Sequence, residues 1–106
     1  MLPPSIKVLK RVIKLSVAGT RGGAVRLHIL LMLEDKVHAT NEIAKDVGLD
    51  YKTIEYHLRV LEKAGLIVGS NKRYKRTFGH SNILKSNKNL IREITEELRM
   101  KVRKTR

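Results

Sequence analysis

The sequence predicts a mainly α, α+β domain: a compact helical unit closed by a β-hairpin, with a further helix at each end. Three features carry that expectation. Apolar residues recur at spacings of three and four in several separate stretches. Glycines or prolines stand where those stretches must begin or stop. After the last central helix, two short runs rich in β-branched and aromatic residues are separated by a polar turn.

The first helix is expected from Ser5 to about Val17. Pro3 and Pro4 prevent it from extending backwards, and Ser5 can cap its first turn. Ile6, Leu9, Val12, Ile13 and Val17 share one side, and Lys7, Lys10, Arg11 and Lys14 the other. Gly19-Thr20-Arg21-Gly22-Gly23 breaks it. The next helix, Ala24 to Glu34, is apolar over much of its surface (Val25, Leu27, Ile29, Leu30, Leu31, Leu33), as a central helix is.

Val37-His38-Ala39 reads as a short strand. Thr40 or Asn41 is expected to cap a helix over Glu42 to Val47, which Gly48 ends because it tolerates positive φ. Asp50 is placed to cap a third core helix, Tyr51 to Ala64, and its charge suits that helix N-terminus. Leu66 to Gly69 and Tyr74 to Phe78 read as paired strands, with Ser70 to Arg73 as their turn. Residues 79–86 read as a loop anchored by Ile83 and Leu84. Asn87 to about Lys104 reads as a final amphipathic helix with Leu90 or Ile91, Ile94, Leu98 and Val102 as its stripe. The chain thus divides into 1–23 (basic helix and Gly-rich break), 24–80 (core unit) and 81–106 (C-terminal helix).

A length of 106 residues fits one domain, and 42% hydrophobic residues is ordinary for a globular one. The four aromatic residues are Tyr51, Tyr56, Tyr74 and Phe78, so Leu, Ile and Val must build the core. With no cysteine, disulfides and thiolate metal sites are excluded, which accords with a cytoplasmic setting. No apolar run approaches the roughly 18 residues of a membrane span. Lys7, Lys10, Arg11 and Lys14 interrupt any signal-peptide core, so none is expected.

Net charge is +13, unevenly distributed. Residues 1–23 hold Lys7, Lys10, Arg11, Lys14 and Arg21 and no acid; Lys72, Arg73, Lys75 and Arg76 cluster in the hairpin; Arg99, Lys101, Arg103, Lys104 and Arg106 end the chain. Residues 34–63 carry seven acids against five bases, a net charge of −2. Such basic flanks attract polyanions: DNA, RNA or an acidic membrane surface.

Two helices joined at a glycine make three demands. Ala44 is small enough to let the second helix cross the first, Gly48 accepts the left-handed turn, and Ile54, Leu58 and Leu61 bury one face of the second helix. Tyr51, Lys52, Thr53, Glu55, Tyr56 and Arg59 are left for solvent or ligand. With the basic hairpin behind it, this is the layout of a winged helix-turn-helix. The run Ala44-x-x-Val-Gly-Leu-Asp-Tyr-Lys-Thr-Ile-x-Tyr-His-Leu-x-Val-Leu-x-x-x-Gly-Leu-Ile67 resembles ArsR-like winged-helix transcription regulators. Gly-Thr-Arg-Gly-Gly at 19–23 makes the likeness closest to archaeal members, and the resemblance spans roughly residues 19–80.

The resemblance implies a dimer on operator DNA, with the third core helix in the major groove and the wing on backbone or minor groove. Tyr51, Lys52, Thr53, Tyr56 and Arg59 are then the expected DNA contacts on the helix. Lys52 can reach a phosphate or a guanine edge, and Thr53 a phosphate or a thymine methyl. Lys72, Arg73, Lys75 and Arg76 are the expected phosphate contacts of the wing, with alternation putting Lys75 opposite Tyr74 and Arg76. Arg21 is available for a further phosphate. Glu55 either accepts from a cytosine amine or points aside. His57, next to Leu58 where the family often has a His-Leu pair, is expected to be structural. His28, His38, His57 and His80 are scattered, and with no cysteine no metal or other cofactor is expected.

The stripes of the two terminal helices could be buried by pairing across a two-fold axis, spacing two reader helices about 34 Å apart, or by docking on their own monomer. A homodimer is the expectation. An interfacial membrane helix over residues 5–18 is the lesser reading. Two other classes remain beside a sequence-specific regulator: a non-specific chromatin or RNA binder, and a protein-interaction module that has lost its DNA surface. No nucleotide loop, nucleophile–base grouping or paired carboxylates point to an enzyme.

Overall fold

A computed structural model describes residues 5–18, 21–72 and 74–104, with the last four as backbone only. Pro3, Pro4, Gly19, Thr20, Arg73 and Arg106, and the side chains of Lys101, Val102, Arg103 and Lys104, lie outside the described part. The elements run α1 Ile6–Val17, α2 Gly23–Met32, β1 His38–Ala39, α3 Thr40–Val47, α4 Tyr51–Lys63, β2 Ile67–Gly69, β3 Thr77–His80, α5 Asn82–Lys85 and α6 Leu90–Lys104. The fold is a mainly helical winged helix-turn-helix with flanking helices, as the sequence predicts.

The helix ends follow local chemistry. Ser5 Oγ accepts from Val8 N–H at 3.3 Å to start α1. Asp50 accepts from Thr53 N–H at 3.3 Å to start α4. Gly48, at φ +85, ends α3 with its N–H on Ala44 O at 2.8 Å. The start of α3 differs from expectation. Thr40 is already its first residue, and the cap works in reverse: Glu42 Oε1 accepts from Ala39 N–H at 2.8 Å.

α2 is the hub, packing against α1, α3, α4 and α6. One apolar cluster joins Leu9, Ile13 and Val17 of α1, Ile29 and Leu30 of α2, Ile54, Leu58 and Leu61 of α4, Phe78 of β3, and Leu90, Ile91 and Ile94 of α6. Core residues therefore come from all three stretches of the chain. Most of both stripes is covered within the monomer: Leu9, Ile13 and Val17 of α1 and Leu90, Ile91 and Ile94 of α6 are buried. Glu97 of α6 clamps α1 by accepting from Lys10 Nζ at 2.7 Å and Lys14 Nζ at 2.8 Å. These two bonds, Lys10's first, hold the Glu97 carboxyl down at about 2. Val8 and Leu15 stay exposed on the side of α1 turned away from the core, and Ile6, in line with the buried stripe, is exposed at the first turn.

The sheet is antiparallel in the order β1-β3-β2, with Ile67 opposite His80 and Gly69 opposite Phe78. The second wing strand begins at Thr77, three residues later than the sequence suggests. Residues 70–72 and 74–76 are not in a strand, and Lys75 takes φ +53, so the strand alternation expected for residues 74–76 does not apply. Residues 79–86 are not a plain loop: β3 runs to His80 and α5 follows. His80 is held by donating Nε2–H to Leu30 O at 2.7 Å, tying the sheet to α2.

The residue just before α2 has no room for a side chain. Gly22 caps α2 at φ +81, and a Cβ there would lie 2.5 Å from His57 Cε1. Gly22→Ala should therefore lower unfolding stability by about 1–3 kcal/mol, from left-handed strain and the clash together. Chemical denaturation measures this, and an unchanged midpoint would contradict the packing described.

Candidate nucleic-acid interface

α4 presents three distinct sides, set by its roughly 100° turn per residue. Ile54, His57, Leu58 and Leu61 are buried. Lys52, Tyr56, Arg59 and Lys63, at i, i+4, i+7 and i+11, form the opposite ridge, and all four are exposed. Tyr51, Glu55 and Glu62 flank the ridge on the wing side. They line a groove of about 270 Å³ whose other wall includes Lys75, Arg76 and Phe78. Lys63 was missed by the sequence reading, although the i+11 spacing from Lys52 already placed it on the ridge.

The inner side is fixed by a residue that sequence reasoning also missed. Arg26 of α2 is 5% exposed. Its Nε donates to Ser16 O at 2.7 Å, one terminal nitrogen donates to Arg21 O at 3.2 Å, and the other lies 3.0 Å from His57 Nδ1. Because a guanidinium only donates, Nδ1 is the acceptor and His57 carries its proton on Nε2. The structural role expected of His57 holds. Burial first, and then the Arg26 charge, push the imidazole below its ordinary value. Tyr56 meets the His57 ring edge-on, with ring centres 5.3 Å apart.

The predicted contact residues fall into different situations. Lys52, Tyr56 and Arg59 stand together on the ridge, with Tyr51 beside them facing the groove. Thr53 turns aside: its hydroxyl donates to Asp50, whose carboxyl is lowered chiefly by that bond and then by the Thr53 N–H. The phosphate donation suggested for Thr53 would compete with this cap, which leaves its methyl as the free surface. Arg21 is exposed in the turn where Gly22 abuts His57. Gly22 thus meets α4 at His57, roughly 140° around that helix from Glu62. Lys72 and Lys75 are exposed in the wing loop beside Tyr74, which is 79% exposed. Arg73 lies outside the described residues.

Arg76 is engaged within the protein. Its Nε donates to Ser70 O at 3.0 Å, a terminal nitrogen pairs with Glu62 Oε2 at 2.8 Å, and its guanidinium carbon stands 4.9 Å from the centre of the Phe78 ring. One attraction between the basic wing and the acids of residues 34–63 is thus satisfied inside the fold. Among the described residues, no three His, Asp or Glu side chains gather into a metal site, and no helix is long and apolar enough to cross a membrane.

Residues 24–68 match the family described as bacterial regulatory protein, arsR family. No curated protein sequence matches the chain. Solved structures do. HlyU from Vibrio cholerae is similar at 22% identity and TM-score 0.64, over 86% of this chain and 97% of that one. Rv0081 from Mycobacterium tuberculosis is similar at 19% identity and TM-score 0.60, over 97% and 94%. Mb0332 from Mycobacterium bovis, described as a homodimeric winged helix-turn-helix DNA-binding domain and possible ArsR-family regulator, gives 18% identity and TM-score 0.66 over 92% of each chain. These relatives are bacterial, so the closer likeness to archaeal members is not shown.

The state of His57 gives a test. A base whose folded value is depressed lets the unfolded chain take up a proton first. The stability it supports is present above about pH 6.5 and is lost as pH falls below it. The melting temperature should therefore drop as pH is lowered through that point. His57→Asn, which keeps an acceptor near Arg26 but does not titrate, should flatten that part of the curve. An equal slope in both proteins would contradict the assignment.

At these identities the structural likeness establishes the fold, and the fold is that of ArsR/HlyU-type winged helix-turn-helix regulators, with the arsR-family pattern on residues 24–68.

Proposed function

We propose that this chain is an ArsR-family transcription regulator that binds double-stranded DNA sequence-specifically as a homodimer in the cytoplasm. The observation that carries the reading is the unbroken exposed ridge Lys52, Tyr56, Arg59 and Lys63 on the second helix of the turn, with a basic wing loop beside it. α4 enters the major groove. Lys52 and Tyr56 read base edges, Thr53 offers its methyl to a thymine, and Tyr51 and Arg59 contact backbone or base at the groove edge. Lys72, Arg73 and Lys75 meet phosphates from the wing side, and Arg21 meets them from the other.

Dimerisation is supported by the homodimeric description of the Mb0332 domain and by Val8 and Leu15, exposed on one side of α1. A non-specific nucleic-acid binder is the second reading, favoured by the net charge of +13.

Selection of duplexes from a random pool, followed by binding measurements across salt concentrations, separates the two. The proposed function predicts an enriched, two-fold symmetric site and at least about a thousandfold preference over random duplex. Lys52→Ala should alter the selected sequence. Lys72→Ala should weaken all duplexes alike and reduce the salt slope by about one. Equal binding of selected and random duplexes at physiological salt would leave only the non-specific reading.

A further inference from the structure

We infer that Arg76 is a positioning residue for DNA recognition, one that sets the wing against α4 through Glu62, and not a phosphate contact. The inference rests on the DNA-binding reading above. Arg76 is the last residue of the wing loop before β3. Its fork is used twice within the protein: Nε donates to Ser70 O across the loop, and a terminal nitrogen pairs with Glu62 on α4. Ser70 closes the same point with two more bonds, its N–H on Thr77 O at 2.8 Å and its Oγ accepting from Thr77 N–H at 3.1 Å.

The guanidinium also has a built seat. It rests beside the Phe78 ring, in the space left by the missing Cβ of Gly69 on the neighbouring strand. A Cβ there would overlap the Arg76 guanidinium and lie 2.9 Å from Phe78 Cε1. Gly69, Arg76, Phe78 and Glu62 thus form one joint at the base of the loop that carries Lys72, Tyr74 and Lys75. The joint decides where those side chains meet DNA relative to the ridge on α4. A single exposed ion pair is weak. Here two hydrogen bonds and a ring contact act on one planar group, which a lysine cannot reproduce.

Charge alone and positioning predict opposite signs. Glu62 lies on the flank of the reader helix, so as a bare charge it repels phosphates, and Glu62→Gln would tighten binding. If Arg76 were a phosphate contact, releasing it from Glu62 would tighten binding too, and Arg76→Lys would bind nearly as well as wild type. If the joint sets the wing, Glu62→Gln weakens binding although it removes a negative charge.

The test uses the full chain, a duplex enriched by selection, and hydroxyl-radical footprints. Glu62→Gln and Arg76→Lys should each weaken binding about threefold or more, and the double variant should be no weaker than the weaker single one. Protection should fade at the backbone positions under the wing and persist around the major-groove contacts. Gly69→Ala, which changes no charge, should act in the same direction. Should that variant misfold, the half-buried Glu62 position decides alone. Glu62→Gln binding as well as or better than wild type, or Arg76→Lys binding like wild type, overturns the inference. A wild-type protein with no preference among duplexes would contradict the DNA-reading proposal itself and remove the inference with it.

Discussion

A single buried guanidinium sets the frame for the rest of the molecule. Arg26 joins the end of α1, the turn before α2 and the inner face of α4 through Ser16 O, Arg21 O and His57 Nδ1. Taking such a charge out of water is unfavourable by several kcal/mol unless its donors are matched. The structure matches them with two carbonyls and a neutral imidazole. Its surroundings leave room for it: a Cβ at Gly22 would lie 3.2 Å from a terminal nitrogen of Arg26 and 2.5 Å from His57 Cε1, and α4 turns His57 Nδ1 inward to meet it. Once His57, Ile54, Leu58 and Leu61 point inward, helix geometry leaves Lys52, Tyr56, Arg59 and Lys63 outward.

The formal charge overstates what is available to a polyanion. Lys10 and Lys14 of α1 share Glu97, Arg92 pairs with Glu34, and Arg76 pairs with Glu62. The acids of α4 are arranged accordingly. Glu62 faces the wing, and Glu55 lines the groove beside it, both off the outer ridge. A segment of net negative charge can therefore still present a cationic line. Under the proposed function, attraction lies in the wing and the Arg21 turn and discrimination in the ridge.

The central unit was legible in the sequence because its determinants are local. Gly48 and Asp50 fix the turn within a few residues of themselves, and the spacing of Ile54, Leu58 and Leu61 orients α4. The wing was misplaced because Tyr74 to Phe78 has strand-like composition, whereas pairing is decided by partners far along the chain, Ile67 with His80 and Gly69 with Phe78. α5 has only four residues, too few for any period to show. Of the candidate site, most of the exposed ridge was readable. What escaped were tertiary pairings: Thr53 on Asp50, Arg76 on Glu62, and Arg26 on His57. Arg26 did leave a signal. It stands three and four residues before Ile29 and Leu30, inside the stripe that α2 buries, where a charged residue demands partners.

The most direct measurement is amide and side-chain chemical-shift mapping of the isotopically labelled protein on titration with a selected duplex. The largest changes should run along Lys52, Tyr56, Arg59 and Lys63, continue into Lys72 and Lys75, and fade on the α2–α3 face, where Leu27, His28 and Leu31 lie beside Asp46 and His28 Nε2 meets its carboxylate at 2.9 Å. Changes centred on that α2–α3 face, with the ridge unmoved, would contradict the proposed function.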